Sequence, residues 1–143
     1  MLRIASPSTK ILDMFDTVLF PVNNTRETRE ATTTVVDLVN TYSSRLFLLS
    51  VVDSDAQDIM NDEPKVAQLL QSAQSVFSKQ GIKAEILERE GIPAFTICDV
   101  ADEIEADLIV MGSRGLGISQ ENQQHGVAHR AIELAPCPVL VIP

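Results

Sequence analysis

The sequence predicts a single α/β domain in which helices cover both faces of a five-stranded parallel sheet, a doubly wound arrangement. Its 143 residues suit one domain with one core. Hydrophobic residues make up 45% of the chain, yet it has no Trp, one Tyr and five Phe. Val, Ile, Leu and Ala must therefore build most of the core, as they do in parallel sheets covered by helices. Apolar runs of strand length also alternate with segments of helical period, which favours right-handed crossovers between parallel strands.

Short apolar runs typical of buried strands occur five times along the chain. They comprise residues 17–22, 46–52, 82–88, 107–111 and 139–142. The third run places Ile82, Ala84 and Ile86 at alternate positions, so we expect it near an edge of the sheet. The fourth run is continuously apolar, which predicts a central strand.

Four segments between these runs are predicted to be helices. The first, residues 26–42, follows Asn and Thr side chains at 23–25 that suit a helix N-cap. The third begins at Pro93, which fits the first turn of a helix, and the fourth covers residues 127–134. The second has the clearest helical period and is ended by Gly81. Its apolar positions are Val66, Leu69, Leu70, Ala73, Val76 and Phe77.

Two segments fall outside this alternation. Residues 1–13 have no clean period, so we interpret them as an N-terminal appendage, either disordered or a frayed helix laid on the domain formed by residues 14–143. The acidic connection at residues 53–63 either covers a ligand pocket or extends into solvent. The sequence leaves both alternatives open.

The charge balance argues against two classes of partner. With 20 acidic and 11 basic residues the formal net charge is −9, so the average field repels nucleic acids and anionic membranes. No apolar run approaches the length of a membrane span, and the first residues lack the features of a signal peptide. We therefore expect a cytoplasmic protein with no nucleic-acid or membrane partner.

The two cysteines, Cys98 and Cys137, lie in different predicted elements and lack the C-x-x-C spacing of zinc or redox sites. Two reduced thiols in packed positions are the expected arrangement. No metal site is predicted from the residues themselves.

The strongest candidate for a functional segment follows the fourth strand. Gly112, Gly115 and Gly117 allow the backbone there to approach a ligand closely, and successive N–H groups can form an anion-binding nest. The G-x-x-G-x-G order differs from the dinucleotide fingerprint, and no Gly-Lys-Ser/Thr of a P-loop follows. The local pattern alone fits a plain turn as well as a phosphate site.

Two longer stretches, residues 110–115 (VMGSRG) and 135–142 (APCPVLVI), resemble the universal stress protein family. Matches at residues 20–22, 48–52 and 90–93 extend the resemblance from about Phe15 to the C-terminus. It implies a flavodoxin-like sheet of the universal stress protein type. It also implies a homodimer formed by antiparallel pairing of the last strand, through Val139, Leu140, Val141 and Ile142.

The resemblance also implies an adenine-nucleotide pocket, in which ATP-binding members carry G-x2-G-x9-G followed by Ser or Thr. Here Gly112 and Gly115 match, but His125 and Gly126 occupy the last two positions, and a one-residue shift would instead place Gly126 and Val127 there. Asn23 replaces an Asp of those members. The implied contact residues are Pro21, Val22, Asn23, Val51, Met111, Gly112, Arg114, Gly115, His125, Gly126 and Val127.

These departures weaken the expected binding of ATP, ADP, AMP or cyclic AMP, with Mg²⁺ or Mn²⁺ present only alongside the nucleotide. A glycine-to-His change puts a ring where the backbone should approach, and the missing hydroxyl removes a hydrogen-bond donor. His125 has two interpretations: a protonated phosphate ligand beside Arg114, or a surface histidine on a polar loop.

Catalysis is not expected, because no nucleophile elbow, Cys/His pair or paired-carboxylate motif is present. The first hypothesis is a dimeric stress-response protein whose degenerate nucleotide pocket sets its conformation or its protein partners. The alternative is a member that binds no nucleotide and works only through an unknown protein partner. A weak ATPase is a third and more distant hypothesis.

Overall fold

The computed structural model describes residues 14–23, 26–53, 63–112 and 127–143. Within these ranges strands and helices alternate in the predicted order. The strands are β1 (Thr17–Pro21), β2 (Arg45–Asp53), β3 (Ala84–Gly91), β4 (Leu108–Gly112) and β5 (Val139–Ile142). The helices are α1 (Arg26–Tyr42), α2 (Glu63–Lys79), α3 (Pro93–Glu103) and α4 (Val127–Leu134).

The five strands form one parallel sheet in the order β3-β2-β1-β4-β5. This confirms the predicted fold class, the edge position of β3 and the interior position of β4. Flavodoxin itself has the strand order 2-1-3-4-5, so the likeness to flavodoxin lies in the layers and the parallel sheet. The chain moves outward from β1 to β3 and then crosses back to β4. The direction in which successive strands are added to the sheet therefore reverses between β1 and β4. Ligands of such sheets bind outside the carboxyl ends of the strands at that point.

Helices cover both faces of the sheet, two on each face. The layer of α1 and α2 packs on alternate residues of the strands, including Val18, Phe20, Leu46, Leu48, Leu108 and Val110. The layer of α3 and α4 packs on the intervening residues, including Leu19, Phe47, Leu49, Ile109 and Met111. Every residue of β4 is buried, because this strand is flanked by two strands and covered by both layers.

The end of α2 has the geometry predicted from Gly81. The Gly81 N–H donates to the Ser78 carbonyl and the Ile82 N–H to the Phe77 carbonyl, each at 2.9 Å, which is the hydrogen-bond pattern of a Schellman motif. Gly81 has φ of +79°, a conformation that favours glycine. The motif buries Ile82 before the strand begins, so β3 starts at Ala84 and not at residue 82.

Two other predictions from the sequence differ in detail from the structure. Ile86 is 37% exposed, while Leu87 packs against the α3 and α4 layer, because an edge strand is only partly covered by its helices. Helix α2 begins at Glu63, which shortens the predicted acidic connection. Residues 1–13 and 54–62 lie outside the described residues, so both interpretations of those segments stay predictions.

Candidate functional site

The carboxyl ends of β1, β2 and β4 bring several predicted site residues to one edge of the sheet. Pro21 ends β1, and the Val22 N–H continues the pairing by donating to the Leu49 carbonyl of β2 at 2.8 Å. Val51 lies just beyond that point on β2. Met111 and Gly112, both buried, end β4 on the other side of β1. These ends flank the point where the strand order reverses.

The predicted phosphate half of the site falls largely outside the described residues. Arg114, Gly115, His125 and Gly126 belong to residues 113–126, which the structure does not describe. Val127 is half-buried at the start of α4, where it packs against the α3 and α4 layer. The roles of these residues in phosphate binding stay predictions.

A groove with a volume of about 760 Å³ opens between α1 and α2 above the carboxyl ends of β1 and β2. It brings Val22, Asn23 and Val51 together. Pro21, Met111 and Gly112 do not line it. Its other described lining residues are Thr28, Arg29, Thr32, Ser50, Val66, Gln68, Leu69, Ser72, Ala73 and Val76.

Hydrogen bonds fix the turn between β1 and α1 at one wall of the groove. The Thr28 hydroxyl donates to Asn23 Oδ1 at 2.6 Å, and the Asn23 backbone N–H donates to Thr28 Oγ1 at 3.4 Å. One turn further along α1, the Thr32 hydroxyl donates to the Thr28 carbonyl at 3.0 Å. Asn23 therefore contributes a positioned but uncharged group to the groove, since a carboxamide carries no charge.

Ser50 is a buried polar residue at the floor of the groove. Along β2 it lies on the same face as Leu46, Leu48 and Val52, which pack against the α1 and α2 layer. It is 4% exposed, and its hydroxyl forms no hydrogen bond with another described residue. An unpartnered buried hydroxyl costs about 1–3 kcal/mol, so a ligand that completes this hydrogen bond would gain affinity.

The walls that α1 and α2 contribute were not predicted from the sequence. On α2, Val66 and Leu69 follow the helical period of a core-facing stripe, as do Ala73 and Val76. That spacing looks the same whether the stripe contacts a core or borders a groove. Ser50, in contrast, carried a usable signal, because it is the only polar residue in the apolar run 46–52.

Arg29 is the single charged side chain in the described lining of the groove. It is exposed, stands in the first turns of α1, and forms no ion pair with another described side chain. No carboxylate belongs to that described lining. The groove thus joins aliphatic walls and neutral polar groups to one positive charge.

The two thiols lie away from the groove, in the α3 and α4 layer. Both are free, and Cys98 packs among buried residues with its Sγ 3.8 Å from the Ala131 carbonyl oxygen. Burial, followed by the charge of Asp99, raises the pKa of Cys98. Burial is also the largest cause of the raised pKa of Cys137, ahead of the Asp107 carboxylate. A raised pKa lowers the thiolate fraction and so the reactivity of a thiol.

No three His, Cys, Asp or Glu side chains in the described ranges are grouped so that they could hold a metal ion. None of the helices described has the length and apolar character needed to cross a membrane.

A sequence model of one protein family, the universal stress protein family, matches residues 14–143. The chain belongs to that family. Universal stress protein Sll1654 of Synechocystis is 53% identical to this universal stress protein over 136 residues, which cover 91% of this chain and 87% of the relative.

Solved structures share the fold. A universal stress protein in complex with cAMP superimposes with a TM-score of 0.75 at 17% identity, covering 91% of this chain and 98% of the other. The universal stress protein from Archaeoglobus fulgidus in complex with dAMP gives a TM-score of 0.73 at 20% identity, with 91% and 99% covered. At these identities the likeness is one of fold.

Proposed function

We propose that this universal stress protein is a dimeric, non-catalytic stress-response protein that binds an adenine nucleotide at the carboxyl ends of β1, β2 and β4. Binding would set its conformation or its choice of protein partner. The observation that carries the proposal is the groove, in which Val22, Asn23 and Val51 meet beside the point of reversal between β1 and β4. Ligands of open parallel sheets bind outside the carboxyl ends of the strands, and the groove opens at that end of β1 and β2.

The nature of the ligand is supported by the family. Two structural relatives were solved with cAMP and with dAMP, and both ligands are adenine nucleotides with a single phosphate. In this chain the aliphatic walls of the groove suit a base. The glycine loop from Gly112, with Arg114, Gly115, His125 and Gly126, is the proposed contact for the sugar and phosphate, and Mg²⁺ or Mn²⁺ would accompany the nucleotide only.

The absence of catalysis is part of the proposal. A catalytic nucleophile needs a lowered pKa or a neighbouring base, whereas both thiols of this chain have raised pKa values and lie in the other helical layer.

We also propose a cytoplasmic location for the protein.

The test is calorimetric titration of the purified protein with ATP, ADP, AMP and cAMP, with and without Mg²⁺ or Mn²⁺. We expect saturable binding of at least one nucleotide, and we expect Gly115→Val to abolish it by placing a branched side chain in the glycine loop. No heat and no thermal shift with millimolar nucleotide would remove the nucleotide from the proposal. Intact binding by Gly115→Val would remove the glycine loop.

The proposed homodimer uses β5, which lies at one edge of the sheet. Along its edge no other described strand pairs with β5, and Leu140 on this strand is 37% exposed. Unpaired edges of this kind readily pair with a second chain. On the preceding helix, Ile132 and Leu134 are also about half exposed, at 53% and 46%, and would add apolar area.

Val141→Asp places a charge in the proposed interface and should give monomers in light scattering. Ile86→Asp is the matched control, because it puts the same charge on β3 at the opposite edge of the sheet, and it should leave the dimer intact. An unchanged mass for Val141→Asp, or equal dissociation by both variants, would assign the interface elsewhere.

The second candidate function is a family member that binds no nucleotide and acts only through protein contacts. The uncharged Asn23, together with His125 and Gly126 in the loop, favours it. The same titration separates the two candidates, since the second candidate requires that no nucleotide binds in the groove.

ATP hydrolysis is the third candidate function, and a phosphate-release assay with Mg²⁺ tests it directly.

A further inference from the structure

We propose that the outer edge of β3 is a docking site for an extended basic segment of a partner protein, which adds to the sheet as a further strand. The proposal concerns a protein partner of this chain and does not depend on whether a nucleotide binds. The occupant is a single segment with basic side chains at alternate positions, followed by an apolar one.

The edge of the sheet at β3 is open. This strand, Ala84–Gly91, has eight residues and is the last strand on its side of the sheet. It pairs with β2 along its whole length, and no described strand pairs with its other side. Such an edge presents unpaired backbone N–H and C=O groups that an added strand can satisfy. At about 3.3 Å per residue, it offers roughly 26 Å of backbone to a partner.

One face of β3 offers side chains that an added strand can reach. Ala84 belongs to the buried cluster under α1 and α2. By the alternation of a strand, Ile86, Glu88 and Glu90 point to that same side of the sheet. Ile86 is 37% exposed, and both glutamates are exposed. Neither carboxylate forms an ion pair with another described side chain. This face therefore presents an apolar group followed by two accessible carboxylates.

The opposite face of β3 makes its contacts within the chain. The Arg45 guanidinium pairs with the Glu85 carboxylate at 2.9 Å. The Arg89 guanidinium pairs with the Glu103 carboxylate of α3, also at 2.9 Å. Leu87 packs against the α3 and α4 layer. Selection of a partner therefore falls to the face that carries Ile86 and the two exposed glutamates.

Charge decides between a second copy of this chain and a basic partner. Strand β3 carries three glutamates and one arginine, and the whole chain has a net charge of −9. A second copy would bring like charges together, which destabilises cross-strand pairs, whereas a basic segment brings opposite ones. The other edge strand, β5, consists of four apolar residues, which suit the self-pairing proposed for the dimer. Charges on an edge strand hinder pairing with like chains, and on β3 the same charges attract a basic one.

The pairing register predicts the sequence pattern of the partner. A strand antiparallel to β3 places its alternate residues opposite Glu90, Glu88 and Ile86 in that order. The expected segment therefore has a basic residue at its first and third positions and an apolar residue at its fifth. A capped synthetic peptide, Lys-Thr-Lys-Thr-Val-Thr-Val-Thr, has this pattern and serves as the probe.

Amide hydrogen exchange of the full chain with this peptide tests the docking directly. Alternate amides of residues 84–91 should exchange more slowly with the peptide bound, because alternate N–H groups of an edge strand point outward. The control peptide has Glu at both lysine positions and should give no protection. No protection of β3 by the lysine peptide, or protection confined to another element, would overturn the proposal. Protection of β3 that grows with protein concentration alone would assign the edge to a second copy instead and also overturn it.

Charge reversal separates recognition by Glu88 from general attraction to an acidic protein. Glu88→Lys should weaken binding of the lysine peptide about fivefold in fluorescence anisotropy. A peptide with Glu at its third position should regain that affinity with this variant. Asp37→Lys makes the same change of net charge at an exposed position of α1 and should leave binding unchanged. Equal losses for the two variants would refute the site on β3. The nucleotide proposal would stand, since Glu88 does not line the groove.

Discussion

The two helical layers of this protein cover the same sheet but pack on it differently. The layer of α1 and α2 has two helices of 17 residues and leaves a groove at the carboxyl ends of the strands. The layer of α3 and α4 has helices of 11 and 8 residues. Its buried residues are largely small, and include Ala94, Ala101, Ala106, Ala128 and Ala131.

Small residues do not by themselves create a cavity, as a comparison of the two layers shows. In the α3 and α4 layer, Ala128 and Ala131 are fully buried in the cluster that these two helices form with the sheet. In the α1 and α2 layer, Ala73 and Ser50 are equally small but border open volume. The larger side chains Phe20 and Phe77, which make an edge-to-face contact with ring centroids 6.2 Å apart, belong to the same layer without lining the groove.

Phe77→Ala should have the largest effect on stability. Phe77 is 1% exposed and packs on Phe20, so its truncation should cost about 3–5 kcal/mol in the free energy of unfolding. Urea denaturation measures this loss. Phe95→Ala removes the same group from a site that is 44% exposed beneath Arg130, and should cost far less. Similar losses for both would mean that the α1 and α2 layer is loosely packed throughout.

Replacing a small residue by a larger one should affect the stability of the two layers differently. Ala101→Leu overfills a fully buried position in α3 and should destabilise the protein by about 1–3 kcal/mol. Ala73→Leu adds the same atoms to the groove wall, where open volume receives them, and should leave urea stability nearly unchanged while blocking nucleotide binding. Comparable destabilisation by both substitutions would argue that the groove is not open in solution.

The smallest expected effect concerns the thiols of the α3 and α4 layer. Because the pKa values of Cys98 and Cys137 are raised above the ordinary value of 9.0, iodoacetamide should alkylate both more slowly at pH 7.5 than it alkylates free cysteine. In the unfolded chain these thiols ionise first. Their contribution to stability should therefore fall as the pH rises through the ordinary pKa. Alkylation at the rate of free cysteine would show that this layer opens readily.

The sequence predicted the fold closely because each element carries a local signal. The fourth helix was predicted with the observed bounds, and Pro93 and Gly81 mark the start of α3 and the end of α2 as expected. The prediction was least accurate for strand β3. Its alternation of apolar and polar residues is weak because it lies at an edge of the sheet, and the preceding Schellman motif buries Ile82 before the strand starts.

The candidate site was predicted only in part. Val22, Asn23 and Val51 could be named from the family resemblance, and the groove brings them together. Arg29 and the α2 wall could not be named, because an exposed arginine on a helix and an apolar stripe both have ordinary structural interpretations. The glycine-loop residues beyond Gly112 lie outside the described residues, so their assignment still depends on the family motif.

The order of side chains along the chain was enough to predict its strands and helices, their apolar faces and the family that it resembles. These properties follow from the period of the side chains and from the short motifs that punctuate it. The groove between α1 and α2 became evident only from the packing in three dimensions. The same packing placed the hydroxyl of Ser50 at the floor of that groove, because the spacing between packed helices depends on contacts between residues that are distant in the chain.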